Sequence, residues 1–222
     1  MKSLLDCLLY GFVDTAYLRG RVPELVAQQL CDGGADIIQL RAKQSTPEEV
    51  RRLAEAVLPV TRQARIPLVI NDHLAVAREL GAEFCHLGQE DFFDAGWARV
   101  AEMPTRKNST TAANPSVRIG LSTHSSEQAT RALAAGPDYI AVGPVYQTAT
   151  KPRARPVTLD YVRWAAANVT LPWFAIGGIN LATLDDVLAA GAKRICVVSA
   201  ILNSSDIAAA CRQFKRRLQR IA

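Results

Sequence analysis

Cations, carboxylates, hydroxyls and paired glycines collect in a few short stretches of this chain: "QLRAK" (39–43), "NDH" (71–73), "GQED" (88–91), "STHS" (122–125), "GPVYQTATK" (143–151), "IGGI" (176–179) and "VVSAI" (197–201). In extended backbone, alternate residues share a face, so Gln39, Arg41 and Lys43 point the same way. Two cations beside the carboxylates Asp72 and Asp91 suit a polyanion. Each aspartate alone could cap a following helix. As a pair they suit Mg2+, which binds through one or two carboxylates plus substrate phosphates and water. Glycines at 177 and 178 allow backbone N–H groups to approach an anion, although a tight turn explains them equally well. Ser199 is either a core hydroxyl or part of that site, and His124 is either a structural histidine or an acid/base residue. In the 143–151 stretch, Thr148 and Thr150 can donate to one phosphate while Lys151 points at another. The inventory therefore describes two anion sites with one loop between them.

These residues need a scaffold that gathers them. Apolar runs recur at 10–14, 36–41, 67–72, 83–88, 117–123, 138–145, 173–179 and 194–201, rich in Ile and Val and nearly continuous. That pattern fits strands covered on both faces, as in a parallel sheet. Helical periodicity lies between them. Val50, Leu53, Ala54, Val57 and Leu58 form one stripe behind Pro47, with Pro59 expected to bend or end the helix. Ile207, Ala210, Cys211, Phe214, Leu218 and Ile221 form another stripe. The fourth helix is expected around Asp94–Met103, with Asp94 as its cap. Glycines in "GGAD", "GAEF", "AGPDY" and "AGAKR" close helices shortly before strands.

Eight strand-plus-helix units argue for an α/β fold, a (β/α)8 TIM barrel in a single domain over residues 1–222. An open doubly wound sheet is the alternative, but no GxGxxG follows the first strand. In a barrel, chemistry sits at the C-terminal ends of strands, where the polar stretches lie. The polar insertion at about 105–116 precedes the fifth strand and is expected at the opposite face, as a mobile loop without a catalytic role.

The bulk composition narrows the function classes. The net charge of +5 is matched by Arg212, Lys215, Arg216, Arg217 and Arg220 in the last helix, so the rest of the chain sums to zero. A solvated helix face is the expectation there, not nucleic-acid binding. No apolar run reaches the roughly 20 residues of a membrane helix, and Asp6 interrupts the apolar N-terminus, so neither a membrane span nor a secretory signal is expected. Five scattered cysteines without a CxxC pair read as core residues in a reducing, cytoplasmic setting. A homo-oligomer is compatible with all of this.

Taken in order and spacing, "QLRAK", "NDHLAVARELGAEFCHLGQED", "IGLSTHS", "DYIAVGPVYQTATKP", "AIGGI" and "VVSAI" resemble the thiamine-phosphate synthase family, from about residue 36 onward. The resemblance implies a barrel enzyme that joins 4-amino-2-methyl-5-hydroxymethylpyrimidine diphosphate to a thiazole phosphate, by a dissociative, Mg2+-assisted substitution that releases diphosphate. By position it implies that Gln39, Arg41, Lys43, Asn71 and Lys151 hold the pyrimidine diphosphate. Asp72 and Asp91 would bind Mg2+, and Ser122 would contact the pyrimidine. Thr148, Thr150, Gly178, Val198 and Ser199 would hold the thiazole phosphate, the last three largely through backbone. Arg41, Lys43, Ser122 and Lys151 are thus the expected catalytic set.

Some positions depart from the family pattern. His73 stands where many members have Arg, "RARPVTL" follows "TKP" without the usual glycines, and the first strand differs, so Asp14 and Tyr17 receive no role. A sister group of thiazole tautomerases shares the strand-five histidine but tends to lack the two carboxylates and the TxTK loop. Another sugar-phosphate barrel enzyme, such as an epimerase, would share the strand-seven and strand-eight site without a need for the strand-two cations, and a catalytically idle phosphate-binding barrel is a third alternative.

Overall fold

All eight apolar runs become strands in the computed structural model, which describes residues 3–104, 116–148 and 155–220. They are β1 (Leu9–Asp14), β2 (Ile37–Arg41), β3 (Leu68–Asn71), β4 (Phe84–Leu87), β5 (Arg118–Thr123), β6 (Tyr139–Val142), β7 (Trp173–Ala175) and β8 (Ile195–Cys196). Each pairs in parallel with its sequence neighbour, and β8 returns to β1 to close the barrel. The expected (β/α)8 architecture is thereby observed.

Helices α1 (Pro23–Asp32), α2 (Pro47–Gln63), α3 (Leu74–Leu80), α4 (Gln89–Asp94), α5 (Ser126–Ala135), α6 (Thr158–Asn168), α7 (Leu184–Ala189), α8 (Ser199–Leu202) and α9 (Ile207–Gln219) alternate with the strands or follow them. The α2 start is fixed by a capping box in which the Thr46 N–H donates to Glu49 at 2.7 Å and the Thr46 hydroxyl accepts from the Glu49 N–H. Pro59 neither ends nor shortens this helix. It lies on the exposed face, where water can satisfy the carbonyl group that proline leaves without a partner.

Several strand ends are shorter than their apolar runs. The "IGGI" and "GPV" segments lie beyond the ends of β7 and β6, and Ser199–Leu202 is helical. The fourth helix lies earlier than expected, directly behind β4 at Gln89–Asp94. Asp94 therefore ends it, and Gly88 stands at its N-cap without a side-chain bond. Only a short 3-10 turn, Val100–Glu102, occupies the expected stretch. Nearly all of the 105–116 insertion lies outside the described residues.

The barrel interior is filled from alternate strand positions. Tyr10 stacks on Phe12 at 5.1 Å and meets Phe174 edge-on at 5.3 Å, and Tyr139 meets Phe84 and Phe174 edge-on at 5.8 and 5.6 Å. Gly120 on β5 makes this possible, because a Cβ there would occupy the space of the Tyr139 ring.

The N-terminal end of the barrel uses one device three times. Asp36, just before β2, accepts the N–H groups of Leu8 and Leu9 at 2.8 and 3.0 Å. Glu83, before β4, accepts from Leu68 at 2.9 Å, and Asp138, before β6, accepts from Ile119 at 2.8 Å. Each acid satisfies backbone at the start of the preceding strand, as closed packing at that end requires.

The last helix corrects the charge reading. Ile207, Cys211, Phe214 and Leu218 are buried as expected, while Ile221 lies outside the described residues. Lys215, however, is only 14% exposed and pairs with the buried Asp36, and Arg217 pairs with Asp185 and donates to the Leu181 carbonyl. Part of the basic stripe thus ties α9 to the barrel. Among the described residues no helix is long and apolar enough to cross a membrane.

Candidate active site

At the C-terminal ends of the strands a cleft opens, on the face where barrels of this kind carry their chemistry. Gln39, Arg41, Lys43, Asn71, Asp72, Asp91, Ser122, Thr148, Gly178, Val198 and Ser199 all line it. Thr150 and Lys151 lie outside the described residues. Within the described chain, the structure brings these eleven candidates together, while Gln89 of the "GQED" stretch is buried away from the cleft.

The first wall is built from charged side chains at the ends of β1 to β4. Arg41 closes β2 directly opposite Asp14, the last residue of β1, and its Nη1 meets the Asp14 carboxylate at 2.8 Å. Asp14 is 1% exposed and also accepts the Ala16 N–H at 3.0 Å. The aspartate to which sequence gave no role thus aims the arginine. The signal was available in register: two parallel neighbours end in an acid and a base.

Lys43 reaches from the turn after β2 to Asp72 at 2.7 Å. Asp72 adopts a left-handed backbone with φ of 65°, uncommon for a residue with a side chain. Its N–H donates to the His86 carbonyl, and the Asn71 carbonyl accepts from the His73 N–H, both at 2.9 Å. The backbone is thereby forced to turn while Asp72 keeps its place at the cleft. It does not cap α3, whose N-cap is His73. Asp91 sits in the first turn of α4 and folds over Gly88, where a Cβ would lie 2.6 Å from the Asp91 carboxylate.

Asp72 and Asp91 face the cleft in this way, Glu90 lines it beside them, and no group of three side chains placed to share one metal ion occurs among the described residues. That donor set fits a hard cation that takes its remaining ligands from substrate oxygens and water, as Mg2+ does, and is too sparse for a cage made of protein alone.

The second wall is backbone. Gly177 and Gly178 both have positive φ, of 103° and 67°. A Cβ on Gly178 would lie 2.7 Å from the Gln147 carbonyl oxygen. The reason is the close approach of the β6–α6 loop, in which the N–H groups of Val145 and Tyr146 donate to the carbonyls of Ile176 and Gly177 at 2.8 and 3.0 Å. The glycines thus serve loop packing as well as the open backbone edge at the cleft. Ser199 begins α8, which has only four residues, so exposed N–H groups rather than a long helix dipole are the resource there. His124 lines the same cleft, and its Nδ1 bonds the Gly143 carbonyl, giving it a visible structural task in holding the β6 turn.

Between the walls the cleft has a floor that sequence reading missed. Gln39 Nε2 donates to Tyr10 Oη at 2.7 Å, Tyr10 Oη meets Tyr139 Oη at 3.1 Å, His86 Nδ1 meets Tyr139 Oη at 3.0 Å, and His86 Nε2 meets Ser122 Oγ at 2.9 Å. Burial pushes both phenols far above the ordinary tyrosine range, so this floor carries no negative charge. The thiols of Cys85 and Cys196 are pushed up by burial as well, consistent with core residues and not nucleophiles.

Comparison with known proteins gives a consistent set of likenesses. Residues 9–201 match the family described as thiamine monophosphate synthase. The chain is 43% identical to the thiamine-phosphate synthase of Thermus thermophilus over 86% of both chains, and 36% identical to that of Halalkalibacterium halodurans over 96% of both. The solved thiamine phosphate pyrophosphorylase of Pyrococcus furiosus superposes with a TM-score of 0.79 at 28% identity, covering 97% of this chain and 96% of that one.

Proposed function

We propose that this chain, which belongs to the thiamine monophosphate synthase family, is a transferase that joins 4-amino-2-methyl-5-hydroxymethylpyrimidine diphosphate to 4-methyl-5-(2-phosphoethyl)thiazole or its carboxylated form, giving thiamine phosphate and diphosphate. The observation that carries the reading is the division of one cleft into a wall of charged side chains and a wall of open backbone. That division suits two phosphorylated substrates held for reaction with one another.

On the charged wall, Arg41 and Lys43 neutralise the diphosphate, with Gln39 and Asn71 as neutral partners. Asp14 keeps the Arg41 guanidinium from turning away, so the arginine meets the leaving group in a fixed orientation. Asp72 and Asp91 would hold Mg2+, which supplies Lewis-acid stabilisation of the departing diphosphate. Lys43 then serves two anions, the Asp72 carboxylate and the diphosphate. Lys151, by family resemblance, completes this set from the 143–151 loop. As the carbon–oxygen bond breaks, negative charge grows on these oxygens, and fixed donors of this kind each contribute about 3 kcal/mol to lowering the barrier. Ser122 contacts the pyrimidine, on which the complementary positive charge spreads.

On the neutral wall, Gly178, Val198 and Ser199 offer backbone N–H groups to the thiazole phosphate, with Thr148 and Thr150 adding hydroxyls. The thiazole nitrogen attacks with its own lone pair, so no strong general base is needed. The Ser122–His86 contact in the cleft is therefore read as a hydrogen bond that orients Ser122, with no proton abstraction asked of it. The test is a discontinuous assay for thiamine phosphate by mass and for diphosphate by coupled detection, with each substrate and Mg2+ omitted in turn. Product only with all three present supports the reading, and no product from the complete mixture overturns it.

A further inference from the structure

The floor of the cleft is a hydrogen-bonded chain that begins and ends in groups lining the cavity: Gln39, Tyr10, Tyr139, His86, Ser122. A phenol has one proton to donate, and a neutral imidazole donates from one ring nitrogen and accepts at the other. Direction therefore propagates. When the Gln39 amide nitrogen donates to Tyr10, the Tyr10 proton goes to Tyr139 and the Tyr139 proton to His86 Nδ1. His86 then carries its proton on Nε2 and donates to Ser122, whose own hydroxyl proton is left to point at the cavity. In this state Gln39 keeps its carbonyl oxygen, an acceptor, for the cavity. If the amide is reversed, every link reverses, Ser122 becomes an acceptor and Gln39 a donor.

We propose that this chain makes the hydrogen-bonding characters of Gln39 and Ser122 opposite and interdependent, so that the cleft reads an amino-substituted nitrogen heteroaromatic ring with one acceptor and one donor set together. In the state drawn above, the Gln39 carbonyl takes an exocyclic amino group and the Ser122 hydroxyl donates to a ring nitrogen. A 4-oxo ring, with an acceptor where the amino group was, opposes the direction of the whole chain. Tyr10, Tyr139 and His86 act as positioning residues: they select the proton arrangement of the two groups that face the ligand. The packing supports a fixed chain, since Tyr10, Tyr139, Phe84 and Phe174 lock one another's rings and Gly120 admits the Tyr139 ring. The coupling stands on these contacts alone, whereas the ligand assignment rests on the synthase reading above.

The test reads a residue that the mutation does not touch. In the ligand-free full chain labelled with [15N]histidine, the His86 ring nitrogens are identified by their persistence in His73→Gln and His124→Gln. Wild type is expected to show His86 protonated at Nε2. Gln39→Glu presents only acceptors to Tyr10, so the chain reverses and the His86 proton moves to Nδ1. Adding Tyr10→Phe to Gln39→Glu cuts the chain and abolishes that move. Should Gln39→Glu fail to fold, Tyr10→Phe alone is expected to bring the two nitrogen shifts towards each other. An unchanged His86 tautomer in the folded variants overturns the coupling.

Titration with 4-amino-2-methyl-5-hydroxymethylpyrimidine and its 4-oxo counterpart forms the second arm. Wild type is expected to prefer the amino compound by about tenfold, the cost of one mismatched hydrogen bond, and Tyr10→Phe to lose most of that preference. A preference unchanged in Tyr10→Phe overturns the role in recognition. If neither compound binds even as its diphosphate with Mg2+ while the tautomer still moves, the synthase reading fails and the coupling survives.

Discussion

The two ends of this barrel use the same residue types for opposite purposes. At the N-terminal end, Asp36, Glu83 and Asp138 point back into the structure and are consumed by backbone N–H groups, with Lys215 closing over Asp36. At the C-terminal end, Asp72 and Asp91 line an open cleft, one of them on backbone that few side chains tolerate. Acids with internal partners at one end contribute stability, and acids facing a cavity at the other are available for chemistry. An aspartate in this fold is therefore interpreted by which end of its strand it occupies and by whether it is buried in a pair there, as Asp14 is with Arg41.

Substitutions can break that contrast. The largest effect is expected from Asp91→Ala, which would remove one of the two side chains proposed to hold Mg2+: turnover falls by about 100-fold or more, while the melting temperature stays within a few degrees of wild type. Steady-state kinetics beside calorimetry checks both halves of that statement. Asp36→Ala is the mirror image. It strands the Lys215 ammonium and two strand N–H groups, costing about 3 to 5 kcal/mol and lowering the melting temperature by about 10 °C, with the KM of the folded fraction unchanged.

Smaller effects sharpen the division within the cleft. Gly178→Ala places a methyl group against the Gln147 carbonyl on left-handed backbone, so it is expected to raise the KM for thiazole phosphate about tenfold and leave that for the pyrimidine diphosphate within about twofold. Val198→Ala keeps the backbone N–H groups and is expected to change either KM by less than about threefold. Equal losses in both variants would refute a backbone site.

A further effect, outside the cleft, is on alkaline stability. Burial raises the Cys31 thiol to about 11 and Cys211 to about 12, so the folded chain keeps protons that the unfolded chain releases near pH 8.5. The stability linked to these thiols is complete below that pH and is lost as pH rises towards 11, which denaturant midpoints at pH 8 and pH 10.5 would reveal.

Much of the fold was legible because barrel strands, buried on both faces, leave continuous apolar runs, and helices leave stripes. What misled was local. Pro59 breaks a helix only where its orphaned carbonyl cannot be hydrated, and it sits on the wet face. The fourth helix begins immediately after Gly88 and is too short for a stripe, so periodicity pointed past it. Strand-end residues of the cleft could be collected because parallel strands bring all their C-termini to one side. Their supports could not. Asp14 acquires meaning only from register with Arg41, and the chain from Gln39 to Ser122 joins five residues from five strands whose contacts no spacing encodes. The acids in "GGAD", "GAEF" and "AGPDY" were passed over for their glycines, although each fastens the preceding strand.

The most direct test of the account is synthesis of thiamine phosphate by wild type and by Asp91→Ala, with Mg2+ varied and Kd for thiazole phosphate measured in parallel. The account predicts Mg2+-dependent product with wild type, its loss in Asp91→Ala, and the same thiazole phosphate Kd in both. Normal Mg2+-dependent synthesis by Asp91→Ala, or a thiazole phosphate Kd that falls away together with turnover, would contradict a cleft divided between a metal-assisted charged wall and a backbone wall.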